Sequence, residues 1–467
     1  MNRTFLLLLL FAAGILTIIS CKKTGTITDH NASVYASADT LHFDTVFTTT
    51  GSVTQFVKIF NNNDQNLVLS NVQLMGGKSS YFSMNVDGLA GTTFSNIEIA
   101  PNDSVYIFVK VSVDSNNKQR PFIVQDSIQY SFNGNTRWIQ LDAYGRNAIY
   151  LRNKVITQDT TFSDSLPVVI LGGLYILPSK TLTIAAGTQI YAHADAAIQV
   201  YGTLKANGDS TKRISFQCDR LDDPYSKYPG SWPGIYFLDQ SDNSVLNFTN
   251  IKNAYQGVIV NNPSLSNGTK LTLNQCIIDN ISAEGILASN TSVTVVSSLI
   301  SNCGTNVSIV SGGTYLFNQC TIVSYDNDYI SHKIPVVNVS NNDGTNTYLL
   351  KCIFNNSIIY GQGGLVDNEI GVNQMKGNAG FILNFDNVFY KLKKPLNNAN
   401  VLFDTSTEFG FHTPAFVSLD FSNHLYDFHL QDSSVCLSVP ANQNYLSNYD
   451  LSGNVWGTPQ SIGCYNH

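Results

Sequence analysis

The chain has 467 residues, of which 13% are charged and 11% aromatic, and it contains 33 glycines. This composition suits many short strands joined by polar turns rather than helices, so it predicts an all-β protein. The net charge of −7 is spread along the chain without a basic run, which argues against nucleic acid or an anionic membrane surface as a partner.

An apolar segment opens the chain. It follows Arg3 and runs over residues 5–19, about the length of a signal-peptide core and too short for a comfortable membrane span. The next residues, Ile18-Ile19-Ser20-Cys21, resemble a bacterial lipobox. They predict a lipoprotein signal peptide over residues 1–20 and a mature protein that begins at a lipidated Cys21, anchored in the outer membrane.

The residues after this cysteine are polar, small and without pattern. Residues 21–37 are therefore predicted to form a flexible tether. Lys22 and Lys23 stand where an acidic export stretch would be expected for the cell surface. The sequence therefore leaves open whether the protein faces the cell surface or the periplasm.

Residues 38–146 show longer strands with strict apolar alternation, such as Val105-x-Ile107-x-Val109-x-Val111. About seven strands in about 105 residues predict an immunoglobulin-like sandwich. We expect a spacer here, since no residue marks a site, although the end loops of such a module can also bind ligand.

A repeat of fixed period follows. The stretches that begin at Leu271, Val293 and Tyr315 align without gaps at offsets of 22 residues. An all-β chain with this period and small polar turns is typical of a solenoid, in which each coil buries its apolar face on the next. Residues 147–435 are predicted to form the solenoid, with about ten coils between about residues 168 and 430. Asn253, Asn280 and Asn302 are predicted to lie in equivalent tight turns.

The opening coils carry a family resemblance. Ile198-x-Val200-x-Gly202-Thr203-Leu204, followed by Ile214-x-Phe216 and Trp232-x-Gly234-Ile235, resembles right-handed parallel β-helix lipoproteins of the Bacteroidetes kind. The resemblance implies an N-terminal Ig-like β-sandwich followed by a right-handed parallel β-helix, a pectate-lyase-like solenoid.

The cysteines divide into two groups. Cys276 and Cys320 occupy one repeat position two coils apart, about 9.6 Å at the usual strand spacing, too far for a disulfide. They are predicted to be buried apolar side chains. Cys436 and Cys464 lie in segments that resemble the closing motif of many right-handed β-helices, which implies a disulfide-linked C-terminal cap over residues 436–467.

One loop concentrates aromatic and acidic groups between two coils. Aromatic faces beside carboxylates are typical of sugar binding, so it is a candidate glycan-binding loop. The alternative is that its aromatic residues pin the loop onto the solenoid. The candidate residues are Asp222, Asp223, Tyr225, Tyr228 and Trp232.

A short Asp-Ser/Thr motif recurs, chiefly in the first third of the chain. It resembles the acceptor signal of general O-glycosylation in Bacteroidetes. The predicted acceptors are Thr40, Thr45, Ser104, Ser127, Thr160, Ser165 and Ser210.

No catalytic or metal-ligating motif is found, and no cofactor is expected. No arginine follows Arg220, and the eight histidines are scattered. We predict a non-catalytic envelope lipoprotein that binds a polysaccharide or an envelope protein. The alternative is a polysaccharide lyase or glycoside hydrolase acting on the solenoid face, and a pure scaffold is a third hypothesis.

Overall fold

The computed structural model describes residues 25–467 apart from 48–51, 53, 114–121, 394, 395, 397, 399, 405–407, 410, 411, 446, 458 and 459. Cys21 and the predicted signal peptide lie outside the described residues. The described chain consists of strands and short 3-10 helices, which confirms the all-β prediction. It divides after Asn147 into two compact units. The 3-10 helices are Gly77–Ser79, Tyr225–Lys227, Val435–Ser438 and Gln443–Tyr445.

The first unit contains two five-stranded sheets around one hydrophobic core. Sheet neighbours are antiparallel except β2 and β12, which are parallel. The strands are β1 Val34–Ala36, β2 Thr40–Phe47, β3 Gln55–Asn61, β4 Leu67–Leu69, β5 Asn71–Leu74, β6 Phe82–Val86, β7 Leu89–Gly91, β8 Thr93–Phe94, β9 Ile97–Ile99, β10 Asp103–Val111, β11 Phe122–Phe132 and β12 Asn135–Arg146. The sheet orders are β1-β3-β10-β6-β7 and β2-β12-β11-β5-β8.

The predicted tether is shorter than expected. The backbone N–H of Ile27 donates to the carbonyl of Asn66 at 2.8 Å, and β1 pairs with β3. Strand pairing satisfies these backbone groups, so the later part of residues 21–37 belongs to the first unit rather than to a free linker.

The second unit begins with a long series of parallel strands. They are β13 Ile149–Ile156, β14 Thr160–Phe162, β15 Val168–Ile176, β16 Thr181–Ala185, β17 Gln189–Ala192, β18 Ala197–Val200, β19 Thr203–Asn207, β20 Ile214–Cys218, β21 Ile235–Phe237, β22 Ser244–Asn247, β23 Thr249–Lys252, β24 Val258–Asn261, β25 Leu271–Asn274, β26 Ile277–Val296, β27 Leu299–Asn318, β28 Thr321–Tyr325, β29 Val337–Ser340, β30 Leu350–Asn355, β31 Ile358–Gln362, β32 Ile370–Asn373, β33 Phe381–Asp386, β34 Phe389–Tyr390, β35 Val401–Phe403 and β36 Glu408–Phe409. An antiparallel hairpin follows, β37 Phe416–Asp420 and β38 Leu425–Leu430.

Each solenoid strand pairs in parallel with a strand about one coil later in sequence. For example, β16 pairs with β19, β19 with β22, and β22 with β25. These pairings produce three parallel sheets around one continuous apolar core. The second unit is therefore a parallel β-solenoid, as the repeat predicts.

The predicted inward stacks are confirmed in register. Leu273 pairs with Val295, and Val295 with Phe317. These side chains are fully buried. Cys276 and Cys320 are also fully buried, as predicted for small apolar side chains.

Part of the predicted cap contacts the side of the solenoid. The chain there runs from later coils to earlier ones. We call residues 440–453 the strap. Turn residues of successive coils hold its backbone. The contacts are Asn387 to the carbonyl of Pro440, Asn356 to that of Asn442 (3.2 Å), the N–H of Ser447 to Gln319 (2.6 Å), Ser297 to the carbonyl of Tyr449 (2.9 Å) and Arg213 to that of Leu451 (3.1 Å).

Cys436 and Cys464, the predicted disulfide pair, are both buried in the same hydrophobic cluster. The structure draws no disulfide between them in its described part, and the pairing stays a prediction. The backbone N–H of Cys464 donates to the Thr321 hydroxyl at 3.0 Å, which fixes it against the solenoid. Burial raises the pKa of the Cys464 thiol, so it stays protonated and packs as a small apolar side chain.

Candidate functional site

The loop between β20 and β21 was the candidate glycan-binding loop, and Trp232 does not fit that role. Its side chain is 1% exposed and belongs to the solenoid core. Its indole N–H donates to the carbonyl of Lys252 at 2.8 Å. A ring buried on both faces has no surface for a ligand, so Trp232 pins the loop, as the alternative interpretation holds.

The acidic residues of this loop are held by cations within it. The guanidinium of Arg220 donates to both oxygens of Asp222, at 2.7 and 2.8 Å, and stacks 3.8 Å from the centre of the Tyr225 ring. Lys227 lies 3.0 Å from Asp223. These carboxylates therefore shape the loop.

A ladder of turn asparagines fastens the loop to the coils. Asn253, Asn280 and Asn302 all have positive φ, at 61°, 58° and 49°. Asparagine tolerates this left-handed region better than most residues. The Asn253 amide donates to the carbonyl of Ser226 at 2.6 Å, and the Asn280 amide to that of Lys227 at 2.8 Å. The predicted equivalence of these turns is confirmed, and the ladder positions the loop.

A cleft of about 220 Å³ lies beside this ladder. One wall is the loop, the floor is the solenoid turn, and the other wall is the β37–β38 hairpin. The lining residues are Gln217, Ser226, Lys227, Lys252, Asn253, Asp279, Asn280, Asn302, Asn327, Asn423, His424, Leu425 and Tyr426. Most present amide or charged groups, so the cleft offers many hydrogen-bond donors and acceptors.

Asp279 is the carboxylate among these lining residues. It lies 3.6 Å from the ammonium of Lys252 and accepts a hydrogen bond from the Ser301 hydroxyl at 2.7 Å. The Asn302 amide lies 3.4 Å from the same oxygen. The floor of the cleft therefore carries an anion, a cation and several amides within a short distance of one another.

Tyr426 contributes a buried hydroxyl that has no hydrogen-bond partner in the described part of the chain. Burial, reinforced by the negative charges of Asp279, Asp328 and Asp420, raises the pKa of Tyr426 to about 12. The hydroxyl therefore keeps its proton at neutral pH.

A row of rings begins at His424, which lines the cleft. Tyr329 stacks on His424 with centroids 4.3 Å apart and meets the edge of Tyr228 at 5.3 Å. Tyr228 is 37% exposed. These rings each expose part of their surface to solvent beside amide and carboxylate groups. Together they form a surface that offers both apolar contact and hydrogen-bond partners.

A second charged cluster lies buried between later coils. Glu369 is 0% exposed and accepts from the His332 imidazole at 3.0 Å, with the Lys391 ammonium at 3.5 Å. A Cβ added to Gly361 would lie 2.4 Å from both Glu369 and His332. The cluster is buried and leaves no space for a ligand, so its role is to join the coils.

The described residues include no group of three His, Cys, Asp or Glu side chains able to hold a metal ion. They also include no helix long and apolar enough to cross a membrane.

Four residues at or beside the cleft are not among those predicted from the sequence, namely Asp279, Tyr329, His424 and Tyr426. The two walls of the cleft come from segments about two hundred residues apart in sequence, and each of these residues stands in an ordinary local pattern. The Asn ladder and the loop that contains Tyr228 were the local signals near the cleft.

The predicted O-glycosylation residues lie on strands and loops of both units. Thr40, Ser104, Ser127 and Thr160 are partly exposed, Ser165 and Ser210 are exposed, and Thr45 lies in β2. Their modification stays a prediction.

No protein-family model matches the chain, and no curated protein matches it. Among solved structures, the catalytic unit of a GH87 α-1,3-glucanase from Streptomyces thermodiastaticus is similar over 76% of this chain and 88% of its own, with 12% identity and a TM-score of 0.25. Dex49A from Penicillium minioluteum is similar over 75% of this chain and 66% of its own, with 10% identity and a TM-score of 0.24.

A family 123 glycoside hydrolase from Clostridium perfringens is similar over 26% of this chain, which spans 31% of that structure, with 10% identity and a TM-score of 0.19. The function of this chain rests on the geometry of its own cleft.

Proposed function

We propose that the second unit binds a carbohydrate in the cleft between the loop and the hairpin. The observation that supports this most directly is the row Tyr228–Tyr329–His424 beside Asp279 and Lys252. Sugar rings present C–H faces that pack on aromatic rings and hydroxyls that both donate and accept hydrogen bonds. The cleft offers partners for both.

The proposal places this cleft on an envelope protein. Cys21 is lipidated and anchors the chain in the outer membrane, the first unit is an Ig-like sandwich, and the solenoid is right-handed, as in Bacteroidetes-type β-helix lipoproteins. The two five-stranded sheets of the first unit support the sandwich, and the parallel coils of the second unit support the β-helix.

A glycan array tests the binding proposal. Residues 22–467 should bind a defined set of oligosaccharides, and the H424A and Y228A variants should lose that binding while unfolding at the same temperature. Tyr144, an exposed tyrosine in the first unit, provides the matched control variant Y144A, which should bind normally. Equal binding by all four proteins would reject the cleft as the site.

A second candidate function is cleavage of the bound glycan, favoured by His424 and the protonated Tyr426 in the same cleft. In a β-elimination, Lys252 would offset the charge of a uronate. His424 would take the proton next to the carboxylate, and Tyr426 would give a proton to the departing oxygen.

Hydrolysis fits the cleft less well, because glycoside hydrolases ordinarily use two carboxyl groups and the lining contributes Asp279. Incubation with uronate polymers separates the two outcomes. Ultraviolet absorbance from a new carbon–carbon double bond identifies a lyase, and new reducing ends without that absorbance identify a hydrolase.

A further inference from the structure

The outer face of one sheet in the first unit carries an unusual surface, which we call the aromatic face. Alternate residues of β3 and β10 point outward, and with β1 they place Tyr35, Phe56, Lys58, Phe60, Tyr106 and Phe108 side by side. Tyr35 is 47% exposed, Phe56 50%, Tyr106 38% and Phe108 39%. Exposed apolar rings grouped in this way are typical of a surface that binds a protein, a membrane or a ligand.

The rings of this face are arranged unlike a sugar platform. Tyr35 stacks on Phe60 with centroids 4.8 Å apart, and Tyr106 stacks on Phe108 at 5.6 Å. The ammonium of Lys58 lies 4.5 Å from the centre of the Tyr106 ring. The flat faces that a sugar would need are therefore largely occupied, and the rings act as one apolar layer.

Two lysines lie on this face. Lys58 lies within the ring cluster, and Lys110 follows Phe108 on the same side of β10. Neither lysine belongs to an ion pair in the described parts of the chain. The net charge of the whole chain is negative, so it does not reveal this local positive charge. The local charge complements an anionic partner, whereas a second copy of the face would oppose lysine to lysine.

The position of the chain start favours a lipid surface. The carbonyl of Gly25 accepts from the backbone N–H of Asn66 at 3.1 Å, and the carbonyl of the neighbouring Gln65 accepts from Asn61, the last residue of β3, at 2.8 Å. Cys21 precedes Gly25 by four residues, and such a segment spans at most about 14 Å. A lipid on Cys21 would therefore hold this end of the aromatic face close to the headgroups.

We propose that the aromatic face of the first unit rests on the anionic headgroup surface of the membrane. This inference depends on the proposed lipid anchor for its setting. Aromatic rings enter the interfacial region while lysines reach lipid phosphates. The unit thus acts as a second, weak membrane contact that orients the protein, beyond the spacer role expected from the sequence.

The test uses the unlipidated chain, residues 22–467, and vesicles of phosphatidylglycerol and phosphatidylethanolamine. Co-flotation should be measurable at low salt. The double variant F56S/F108S should weaken it about tenfold, and K58Q/K110Q should remove its salt dependence. The matched control is W138S/Y144S on the other sheet, where Gln140 and Asp142 separate the exposed rings. Circular dichroism and thermal unfolding confirm that each variant folds.

Three results would overturn the inference. They are no flotation of the folded wild-type chain, equal loss in the control variant, or a concentration-dependent dimer that F56S/F108S abolishes. Lipidation itself is tested separately, by the mass of the mature protein from cells. A failure of the anchor and a failure of the aromatic face therefore give different results.

Discussion

The side-chain amide of Asn280 donates a hydrogen bond of 2.9 Å to the side-chain oxygen of Asn253, in the equivalent turn of the preceding coil. Each of these two residues also holds one backbone carbonyl of the loop that forms a wall of the cleft. The ladder thus connects the repeat of the solenoid to the shape of the candidate site.

Replacing Asn280 tests this connection. Asn280→Ala removes both hydrogen bonds and leaves a residue with a Cβ at φ 58°, so we expect a loss of about 2–3 kcal/mol in the free energy of unfolding. Asn280→Gly loses the same hydrogen bonds without the backbone strain, so it should cost about 1 kcal/mol less. Chemical denaturation measures both, and equal costs for the two variants would contradict the strain argument.

The buried carboxylate of Glu369 gives a second prediction. Glu369→Gln leaves Lys391 and His332 without their anion in a closed site, so we expect a loss of about 3–5 kcal/mol. The control is Asp367→Asn, which breaks the exposed pair with Lys393 at 3.0 Å and should cost less than about 1 kcal/mol. Similar costs for the two variants would show that the buried cluster does not join the coils.

The strap gives a third prediction. Gly453 has φ 86°, and a Cβ there would lie 2.3 Å from that of Ser210. Gly453→Ala should therefore loosen the strap and speed proteolysis within residues 440–453. Gly344→Ala is the matched control, because it has φ 90° but open space around the new Cβ. If both variants are cleaved at the same rate, backbone strain rather than packing against the solenoid explains the effect.

Lys270 predicts a pH dependence. The residue is fully buried, and its ammonium donates to the carbonyl of Asn261 at 2.6 Å. Burial lowers the pKa of Lys270 from 10.5 to about 8. Between these values the unfolded chain binds more protons at this lysine than the folded chain. Its contribution to stability therefore rises with pH, by at most about 1.4 kcal/mol per unit.

The comparison with Lys270→Met isolates this contribution. Burial raises the pKa of Cys276 to about 11, so this thiol lowers stability as pH rises above about 9, and the same effect is present in both proteins. The wild-type free energy of unfolding minus that of the variant should increase between pH 8 and pH 10. A constant difference would contradict the lowered pKa.

The sequence predicted those parts of the fold that repeat locally. Leu273, Val295 and Phe317 are 22 residues apart because each coil places the same side chain on the same core, so spacing alone identifies the stack. Alternation in β10 likewise predicts which residues face the core of the first unit.

The strap and the cleft depend on contacts that spacing does not record. The backbone N–H of Ser447 donates to Gln319, which lies 128 residues earlier in the chain. His424 stacks on Tyr329, which is also far from it in sequence. The motif around Cys436 and Cys464 does not reveal the path of the strap along the solenoid, and the disulfide between these residues stays a prediction. Trp232 shows the same limit, because a tryptophan in a loop looks alike in sequence whether its ring is buried or exposed.

The most direct test of the proposed function is a crystal structure of residues 22–467 soaked with an oligosaccharide selected on the array. The account predicts sugar density between the loop and the hairpin, with one ring packed against Tyr228 or His424 and hydroxyls bonded to Asp279 and Lys252. Density on another face of the solenoid, with this cleft empty at the same ligand concentration, would contradict it.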